Sequence, residues 1–372
     1  MHRTGLLIAF SWLLLASCED PVKIDPRTNR PVGTPAPTPN LPGGLTPTTP
    51  TTPTTPTTPV TKTPDQITYS FATLTGGQSG NADGTLAEAR FNKPGPLAID
   101  AQDRLYVVDR GNNAIRVITP DGTVVTAKDA QGKKITVGSD ATLAVGPDGL
   151  YLTESNSVAL ISLQGVKSTV SGVATAGGGG YQDGKGDKAR FNGPSGLAFS
   201  GSDLLVADTK NYLLRQVTTD GTATTFAGVF NSGGTVAEGP RTTAKFHSPY
   251  GLAVDGQKNV YVTEYYGSTV RKISAGGTVT TLAGGGLQGY RDGTGTGASF
   301  NLPTALFANQ DGYLFVADRA NAAIRLVTPD GKVTTLYKGQ PSADGVAGVV
   351  VDSKGVVYFT EPGKHTIHKL MP

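Results

Sequence analysis

The sequence is poor in the residues that build disulfides, metal sites and nucleic-acid surfaces. Its 372 residues include one cysteine, four histidines, one tryptophan and two methionines. A single thiol, Cys18, cannot form a disulfide within the chain or a cysteine zinc site. The net charge is +3, and lysine and arginine form no cluster of the kind that tracks phosphates. We therefore expect no nucleic-acid partner.

Glycine and proline are abundant instead. The chain contains 50 glycines and 25 prolines, and it has no long stretch rich in alanine, leucine, glutamate and lysine. Glycine and proline are unfavourable inside helices and common in tight turns. The composition therefore favours many short strands that are joined by tight turns.

The first eighteen residues resemble the export signal of a bacterial lipoprotein. Arg3 precedes an apolar run from Leu6 to Leu15, which is too short to span a bilayer of roughly 30 Å as a helix. The following Ala16-Ser17-Cys18 completes a segment similar to the lipobox. The resemblance implies that residues 1–17 are removed and that Cys18 is lipidated, although an ordinary secretory signal with a chance cysteine is the alternative. We expect an exported protein, lipid-anchored to the cell envelope in the periplasm or at the cell surface.

A linker is predicted between this anchor and the folded part. Few large apolar residues occur from about Pro26 to Pro64, and Thr-Thr-Pro is repeated four times between Thr48 and Pro59. Such a segment cannot bury enough surface to offset its chain entropy. Proline favours polyproline II, which rises about 3.1 Å per residue. Residues 18–65 are thus predicted to be a lipidated cysteine followed by a semi-rigid stalk.

Residues 66–372 are repetitive. An Ala-x-Phe passage that ends in proline stands at 89–94, 189–194, 244–249 and 298–303. A short apolar strand follows each passage, and a second strand then ends on an acid. Including two degenerate units, the strand-ending acids lie 43 to 56 residues apart at Asp109, Glu154, Asp208, Glu264, Asp318 and Glu361. Units of four short strands at this spacing are typical of propeller blades.

The segment Leu105–Arg116, together with the passage at 89–94, closely resembles an NHL repeat. The resemblance extends over nearly all of residues 67–372 and implies an all-β, six-bladed β-propeller. The last unit stops at Leu370 after its third strand, whereas Ile67–Leu74 resembles an isolated fourth strand. We therefore predict that this N-terminal strand closes the last blade, because closure removes the exposed sheet edges.

Most of the strand-ending acids are predicted to be structural. In four units an arginine stands seven residues after the acid, and a four-residue turn would place the two side chains diagonally across one hairpin. The predicted clamps are Asp109 with Arg116, Asp208 with Arg215, Glu264 with Arg271, and Asp318 with Arg325. A cation site near the axis is the alternative. In the second unit Ile161 replaces the arginine, so Glu154 should lack its partner and is the acid to test for function.

Metal chemistry is not expected, although calcium stays open. Several six-bladed relatives are lactonases with an axial calcium or lyases with zinc on three histidines. Here the mature chain has His247, His365 and His368, and the last two, three apart in one strand, should point in opposite directions. Acids recur at one inter-blade loop position, where they should shape the loop or, alternatively, bind calcium: Asp83, Asp183, Glu238 and Asp292. We predict no catalytic residue and no cofactor.

The remaining functional signal lies in the turns of one face. Tyrosine and arginine are enriched at recognition hot spots, although they also occur in ordinary loops. The candidate ligand-binding residues are Glu154, Arg110, Tyr212, Tyr265, Tyr266 and Arg319. The sequence therefore favours a non-catalytic, monomeric binding or scaffold propeller that recognises an unidentified protein or glycan. The alternative is a calcium-dependent, lactonase-like hydrolase or lyase.

Overall fold

The computed structural model describes residues 63–372 except Ala176, together with two short strands nearer the N-terminus. Those two strands, Ile24–Asp25 and Arg30–Pro31, pair antiparallel with each other. The predicted signal peptide, Cys18 and the Thr-Thr-Pro repeat lie outside the described residues, so the anchor, the stalk and the domain boundaries stay predictions. Within the described residues, no helix is long and apolar enough to cross a membrane.

The chain builds six antiparallel sheets in succession, and we number these blades in chain order. Blade 1 contains Pro94–Ile99, Leu105–Asp109, Ala114–Ile118 and Thr123–Thr126, with Gly84–Thr85 paired outside the fourth strand. Blade 2 contains Thr142–Gly146, Gly149–Glu154, Asn156–Ser162 and Lys167–Val173. Blade 3 contains Pro194–Ser200, Asp203–Asp208, Leu213–Val217 and Thr222–Ala227, with Gly184–Lys185 outside them.

The other three blades repeat the pattern. Blade 4 contains Pro249–Val254, Val260–Glu264, Thr269–Ile273 and Thr278–Ala283, with Gly239–Pro240 outside. Blade 5 contains Pro303–Ala308, Leu314–Asp318, Ala323–Val327 and Lys332–Lys338, with Gly293–Thr294 outside. Blade 6 contains Val349–Val351, Val357–Glu361, Thr366–Met371 and Ser70–Gly76. Single 3-10 turns lie at Pro64–Gln66, Arg110–Asn112, Gly186–Lys188, Thr209–Asn211, Gly295–Gly297, Arg319–Asn321 and Pro362–Lys364.

The six blades form a closed ring. The first strand of each blade contacts the first strand of the next, and the first strand of blade 6 contacts that of blade 1. The first strands therefore surround a common axis. The predicted all-β, six-bladed propeller is confirmed.

The N-terminal strand closes blade 6, as predicted. Ser70–Gly76 pairs antiparallel with Thr366–Met371, and Phe71 stands opposite Leu370. The strand begins at Ser70 rather than at Ile67. It ends at Gly76, which has a φ of +98° and whose absent Cβ would lie 2.2 Å from the carbonyl oxygen of His365. Only glycine fits this crossing of the closing strand over the hairpin turn.

Apolar side chains fill the spaces between neighbouring blades. The four phenylalanines of the repeated Ala-x-Phe passages are fully buried at Phe91, Phe191, Phe246 and Phe300. Phe246, for example, packs in a cluster that joins Leu205 and Leu214 of blade 3 to Val260 and Val262 of blade 4. Complete burial of such a side chain contributes about 1.5–3 kcal/mol. The repeat thus places one large ring in the same interface of each regular unit.

Hydroxyl groups of one blade bind the first strand of the next blade. Thr263 Oγ1 donates to the carbonyl oxygen of Thr304 at 2.5 Å, and Thr360 Oγ1 donates to that of Gly95 at 2.8 Å. At the interface of blades 3 and 4, Ser195 Oγ donates to the carbonyl oxygen of Tyr250 at 2.9 Å. These bonds hold the inner strands, and hence the wall of the axial space, in fixed positions.

Candidate functional site

The strand-ending acids of blades 1, 3, 4 and 5 face into their own hairpins. In blade 3, Arg215 stands opposite Val206 and therefore diagonal to Asp208. Its Nη1 atom donates to Asp208 Oδ2 at 3.0 Å, and both side chains are fully buried. The corresponding distances are 3.0 Å for Asp109–Arg116, 2.7 Å for Asp318–Arg325 and 3.3 Å for Glu264–Arg271. These acids are engaged by arginine and do not line the axis.

Each arginine is also held by the preceding inter-blade loop. Arg215 Nη2 donates to Asp183 Oδ1 at 2.7 Å, and the guanidinium lies 5.0 Å from the centre of the Phe191 ring. Asp83 pairs with Arg116 and Asp292 with Arg325 in the same way. Sequence reasoning treated the strand acid, the loop acid and the phenylalanine separately. The strand acid, the loop acid and the phenylalanine occur together in the same units as the arginine, and this pattern could have indicated that the arginine contacts all three.

Blade 4 departs from this arrangement. Glu238 accepts a hydrogen bond from the Thr281 amide at 2.7 Å, and the described contacts do not pair it with Arg271. Arg271 keeps the bond to a loop carbonyl that the other three arginines also make, and it donates to the carbonyl oxygen of Ala237 at 3.1 Å. Glu264 is one methylene longer than aspartate, and its oxygens lie 3.3 and 3.4 Å from the Arg271 Nη1 atom.

Burial dominates the electrostatics of the three aspartate clamps. Burial raises the pKa of Asp208 more than the hydrogen bonds from Asn192, Asn211 and Arg215 lower it. Taking an acid and a guanidinium out of water carries a large desolvation penalty, which their attraction must offset. The clamp therefore fixes the hairpin against the loop rather than adding a large net stability.

The expectation that Glu154 lacks a partner is wrong. Glu154 Oε2 lies 2.5 Å from Lys167 Nζ, and its Oε1 accepts from the Gly138 amide at 2.9 Å. Lys167 lies in the fourth strand of blade 2, whereas the prediction considered only the third-strand position at which the other blades have arginine. Ile161, at the arginine position, packs in the core between blades 1 and 2. Glu154 is therefore a paired acid outside the axial cavity.

Blade 6 uses a histidine clamp. His368 Nε2 lies 2.7 Å from Glu361 Oε2, and Lys364 Nζ lies 3.1 Å from the same oxygen. Burial acts to raise the pKa of Glu361, but the hydrogen bonds from His368 and Lys364 outweigh it and hold that pKa below its usual value.

His247, His365 and His368 lie in separate environments, and His365 is the left-handed residue of a hairpin turn rather than part of the strand that holds His368. His365 Nδ1 accepts from the Lys93 amide at 3.0 Å, His368 contacts Glu361, and the His247 ring lies 6.1 Å from the Tyr266 ring. Among the described residues, no three His, Cys, Asp or Glu side chains converge in a way that could hold a metal ion. The part of the chain that the structure describes thus offers neither a three-histidine set nor a carboxylate cluster for an axial zinc or calcium ion.

An axial cavity of about 370 Å³ lies between the first strands of the six blades. Its wall is built largely of small or apolar side chains such as Ala98, Leu197, Val254 and Phe307. Among the described residues, the charged side chains that line it are two arginines. They are Arg110 and Arg319, each of which directly follows the strand-ending acid of its blade. The cavity is therefore positively charged where the hairpin turns meet it.

Tyr265 and two backbone carbonyls position the guanidinium of Arg319. Its Nη1 atom donates to Tyr265 Oη at 2.7 Å. The Tyr265 ring lies 5.4 Å from the ring of Tyr250, which lines the cavity, and 4.9 Å from the exposed ring of Tyr266. The structure thus brings Arg319, Tyr265 and Tyr266 together, whereas Tyr212, at a half-buried left-handed position of its own turn, does not line the cavity.

Arg110 follows the second strand of blade 1, so blade 6 lies between it and Arg319 of blade 5. Its Nε atom is buried and bonds to no described residue. The side chain lies against Gly95, where an added Cβ would be 2.4 Å from Arg110 Nε. Sequence reasoning selected Arg110 and Arg319 but missed Gly95 and Tyr250. Both follow the proline that begins a first strand, and that shared position was the signal for them.

Comparisons with known proteins agree with this architecture. A sequence model of the NHL repeat matches residues 91–118. The protein Suppressor of Quenching 1 of Arabidopsis thaliana is 27% identical over 296 residues, which are 70% of this chain and 28% of that protein. Human NHL repeat-containing protein 2 is 27% identical over 314 residues, which are 73% of this chain and 43% of that protein. The chain therefore spans less than half of either relative.

Solved structures with this fold include binding proteins and enzymes. An auxiliary nutrient binding protein from Bacteroides ovatus has a TM-score of 0.62 at 15% identity, over 82% of this chain and 77% of that chain. A streptogramin B lyase has a TM-score of 0.52 at 14% identity, over 81% and 97%. A gluconolactonase from Xanthomonas campestris has a TM-score of 0.53 at 15% identity, over 82% and 89%.

The closed ring, its blades and these likenesses define the class as six-bladed β-propellers. The match at residues 91–118 and the recurrence of its motif in further blades show that this propeller carries repeats of the NHL type. The fold is shared by binding proteins and enzymes, so the function has to be argued from the site.

Proposed function

We propose that the protein is a non-catalytic binding propeller of the bacterial cell envelope, which takes the end of a glycan into its axial cavity. The observation that carries this proposal is the cavity lining. Two arginines stand among small, apolar and tyrosine side chains, and no described carboxylate, histidine or cysteine lines the space. A propeller that catalysed hydrolysis or elimination would need a general acid, a general base or a metal site at the axis.

The size of the cavity favours a small ligand over a flat protein surface. Its volume of about 370 Å³ falls in the range of small-molecule sites, which combine apolar walls with a few fixed polar groups. Tyr250 lines the cavity, while Tyr265 and Tyr266 extend the aromatic surface from it. Aromatic side chains of this kind supply flat contact area together with a hydroxyl for hydrogen bonding. A sugar ring has the matching combination of an apolar face and hydroxyl groups.

A glycan array tests this proposal. The full chain, purified in mild detergent, should bind a restricted set of glycans. Tyr250→Ala should weaken that binding about fivefold or more, since it removes an aromatic wall. Tyr290→Ala is the matched control, because it removes a partly exposed tyrosine from an inter-blade loop outside the cavity; since the ring also lies 5.1 Å from the Arg325 guanidinium, the melting temperature of this variant is measured alongside. The control should bind like the wild type.

Two results would count against the proposal. If no glycan bound while the same protein recovered one envelope protein stoichiometrically, the partner would be a protein. If the purified chain hydrolysed a lactone at a rate that rose with added calcium and fell on chelation, the enzymatic alternative would be correct.

A further inference from the structure

We propose that the ligand ends in an anionic group, a carboxylate or a phosphate, which Arg110 and Arg319 bind together at the cavity mouth. This inference rests on the proposed function, because it specifies the chemistry of the glycan end that enters the same cavity. Both arginines belong to the lining, and they come from blades 1 and 5, on either side of blade 6.

The neighbouring acids do not neutralise this pair. Asp109 and Asp318, the residues before the two arginines, are buried and paired with Arg116 and Arg325. Asp344 accepts a hydrogen bond from Arg319 only through its backbone carbonyl. The Asp344 carboxylate pairs with Lys93 at 3.4 Å. The described surroundings therefore leave both cavity arginines without a carboxylate.

The two guanidinium groups also have unused hydrogen-bond donors. Arg319 donates to Tyr265 Oη and to the carbonyl oxygens of Ala343 and Asp344. A guanidinium has five N–H donors, so two remain. Arg110 Nε is buried without an acceptor among the described residues, as are the Nε atoms of the four clamp arginines, so a ligand would be bound by the Nη atoms of Arg110. A carboxylate or phosphate would satisfy several donors at once.

The absence of a side chain at Gly95 makes room for the Arg110 side chain. The equivalent position, directly after the proline that begins the first strand, is Ser195, Tyr250 and Thr304 in blades 3, 4 and 5. At position 95 any Cβ would lie 2.4 Å from Arg110 Nε and 2.9 Å from its Cζ. Glycine thus leaves the space in which the guanidinium lies against the backbone at the cavity.

The arginines are confined to one side of the ring. The residue after the strand-ending acid is Ser155, Thr209, Tyr265 and Pro362 in the other four blades. The hydroxyl donor of Thr209 is already used, since its Oγ1 atom donates to the carbonyl oxygen of Pro249 at 2.8 Å. An anion is therefore expected on the side of blades 5, 6 and 1, with the rest of the ligand extending toward Tyr250.

Calorimetric titration of the full chain in mild detergent tests the inference. D-glucuronate should bind, and D-glucose, which has the same ring without the carboxylate, should bind at least tenfold more weakly. Raising the ionic strength should weaken the glucuronate interaction and leave the glucose interaction unchanged. Inorganic phosphate, observed by phosphorus NMR, should compete with glucuronate.

Three variants locate the anion. Arg110→Gln should weaken glucuronate binding about tenfold to a hundredfold, because it removes a charge-assisted bond. Gly95→Ala keeps the charge but displaces the flexible arginine, and it should weaken binding in the same direction. Arg291→Gln is the matched control, since it removes one exposed arginine from a loop outside the cavity. It should leave binding unchanged.

The outcomes separate this inference from the proposed function. If array glycans bind with equal affinity whether neutral or acidic, and Arg110→Gln has no effect, the anionic ligand is wrong while glycan binding stands. If no glycan binds but phosphate does so through Arg110, the glycan is wrong while the anion site stands. If neither glucuronate nor phosphate binds, the inference is overturned.

Discussion

Each buried clamp arginine connects several parts of its blade. Arg215 joins Asp208 of its own hairpin to Asp183 of the preceding loop and lies against Phe191. One side chain thus connects three parts of a blade. Because its charge is fully buried, its removal leaves an acid without compensation.

Replacement of Arg215 therefore gives a direct prediction. Arg215→Met should lower the free energy of unfolding by about 3 kcal/mol or more, measured by urea denaturation at neutral pH. The double variant Arg215→Met with Asp208→Leu should recover part of the loss, because it removes the buried charge as well. An unchanged denaturation midpoint for the single variant would contradict the clamp.

The histidine clamp of blade 6 predicts a pH dependence. The pKa of Glu361 in the folded protein lies below its usual value, so its stabilising effect is present above the unfolded pKa of about 4.3 and is lost as the pH falls through the folded value. Glu361→Gln should therefore destabilise the protein at pH 7 by about 1.5–3 kcal/mol, and by progressively less as the pH falls below the unfolded pKa. Asp187→Asn, at an exposed loop, is the control. A deficit independent of pH would contradict this role.

These residues also show how far sequence reasoning reaches. Arg116 could be placed against Asp109 because the hairpin turn fixes their diagonal relation. Lys167 could not be assigned to Glu154, because the relation between a second and a fourth strand depends on side-chain length across an intervening strand. The exposure of Arg110 to the cavity depends on how six blades meet at the axis, which no local pattern contains.

At the scale of secondary-structure elements, the closing strand is the most informative. Ser70–Gly76 supplies the fourth strand of blade 6, and the Phe71 ring stacks on that of Tyr337 at 5.0 Å. The strand could be predicted because its Thr-Leu-Thr-Gly ending matches the fourth strands of other blades. The outer pairings such as Gly84–Thr85 could not, since two residues carry no periodicity.

Truncation tests the closure. A chain that begins after Gly77 should melt at a lower temperature than the full chain and should associate, because the edge of Thr366–Met371 becomes exposed. A chain that begins at Ile67 keeps the strand and is the control. Equal melting temperatures for the two truncations, measured by circular dichroism, would contradict the closed ring.

At the scale of the whole molecule, the predicted lipid anchor is what would fix the location of the propeller in the cell. Lipidation at Cys18 predicts that the protein fractionates with membranes, and that Cys18→Ser releases it into the soluble fraction. Several acyl chains together bind a membrane firmly, since each buried CH₂ contributes about 0.8 kcal/mol. Fractionation followed by immunoblotting measures this. A wild-type protein that is already soluble would contradict the anchor without affecting the propeller.

A crystal structure of the complex with a glycan selected on the array tests the axial site most directly. We expect the glycan in the cavity, with its anionic group within hydrogen-bond distance of Arg110 and Arg319 and a sugar ring beside Tyr250. A glycan bound on the outer blades, with the axial cavity holding only water, would contradict the proposed site.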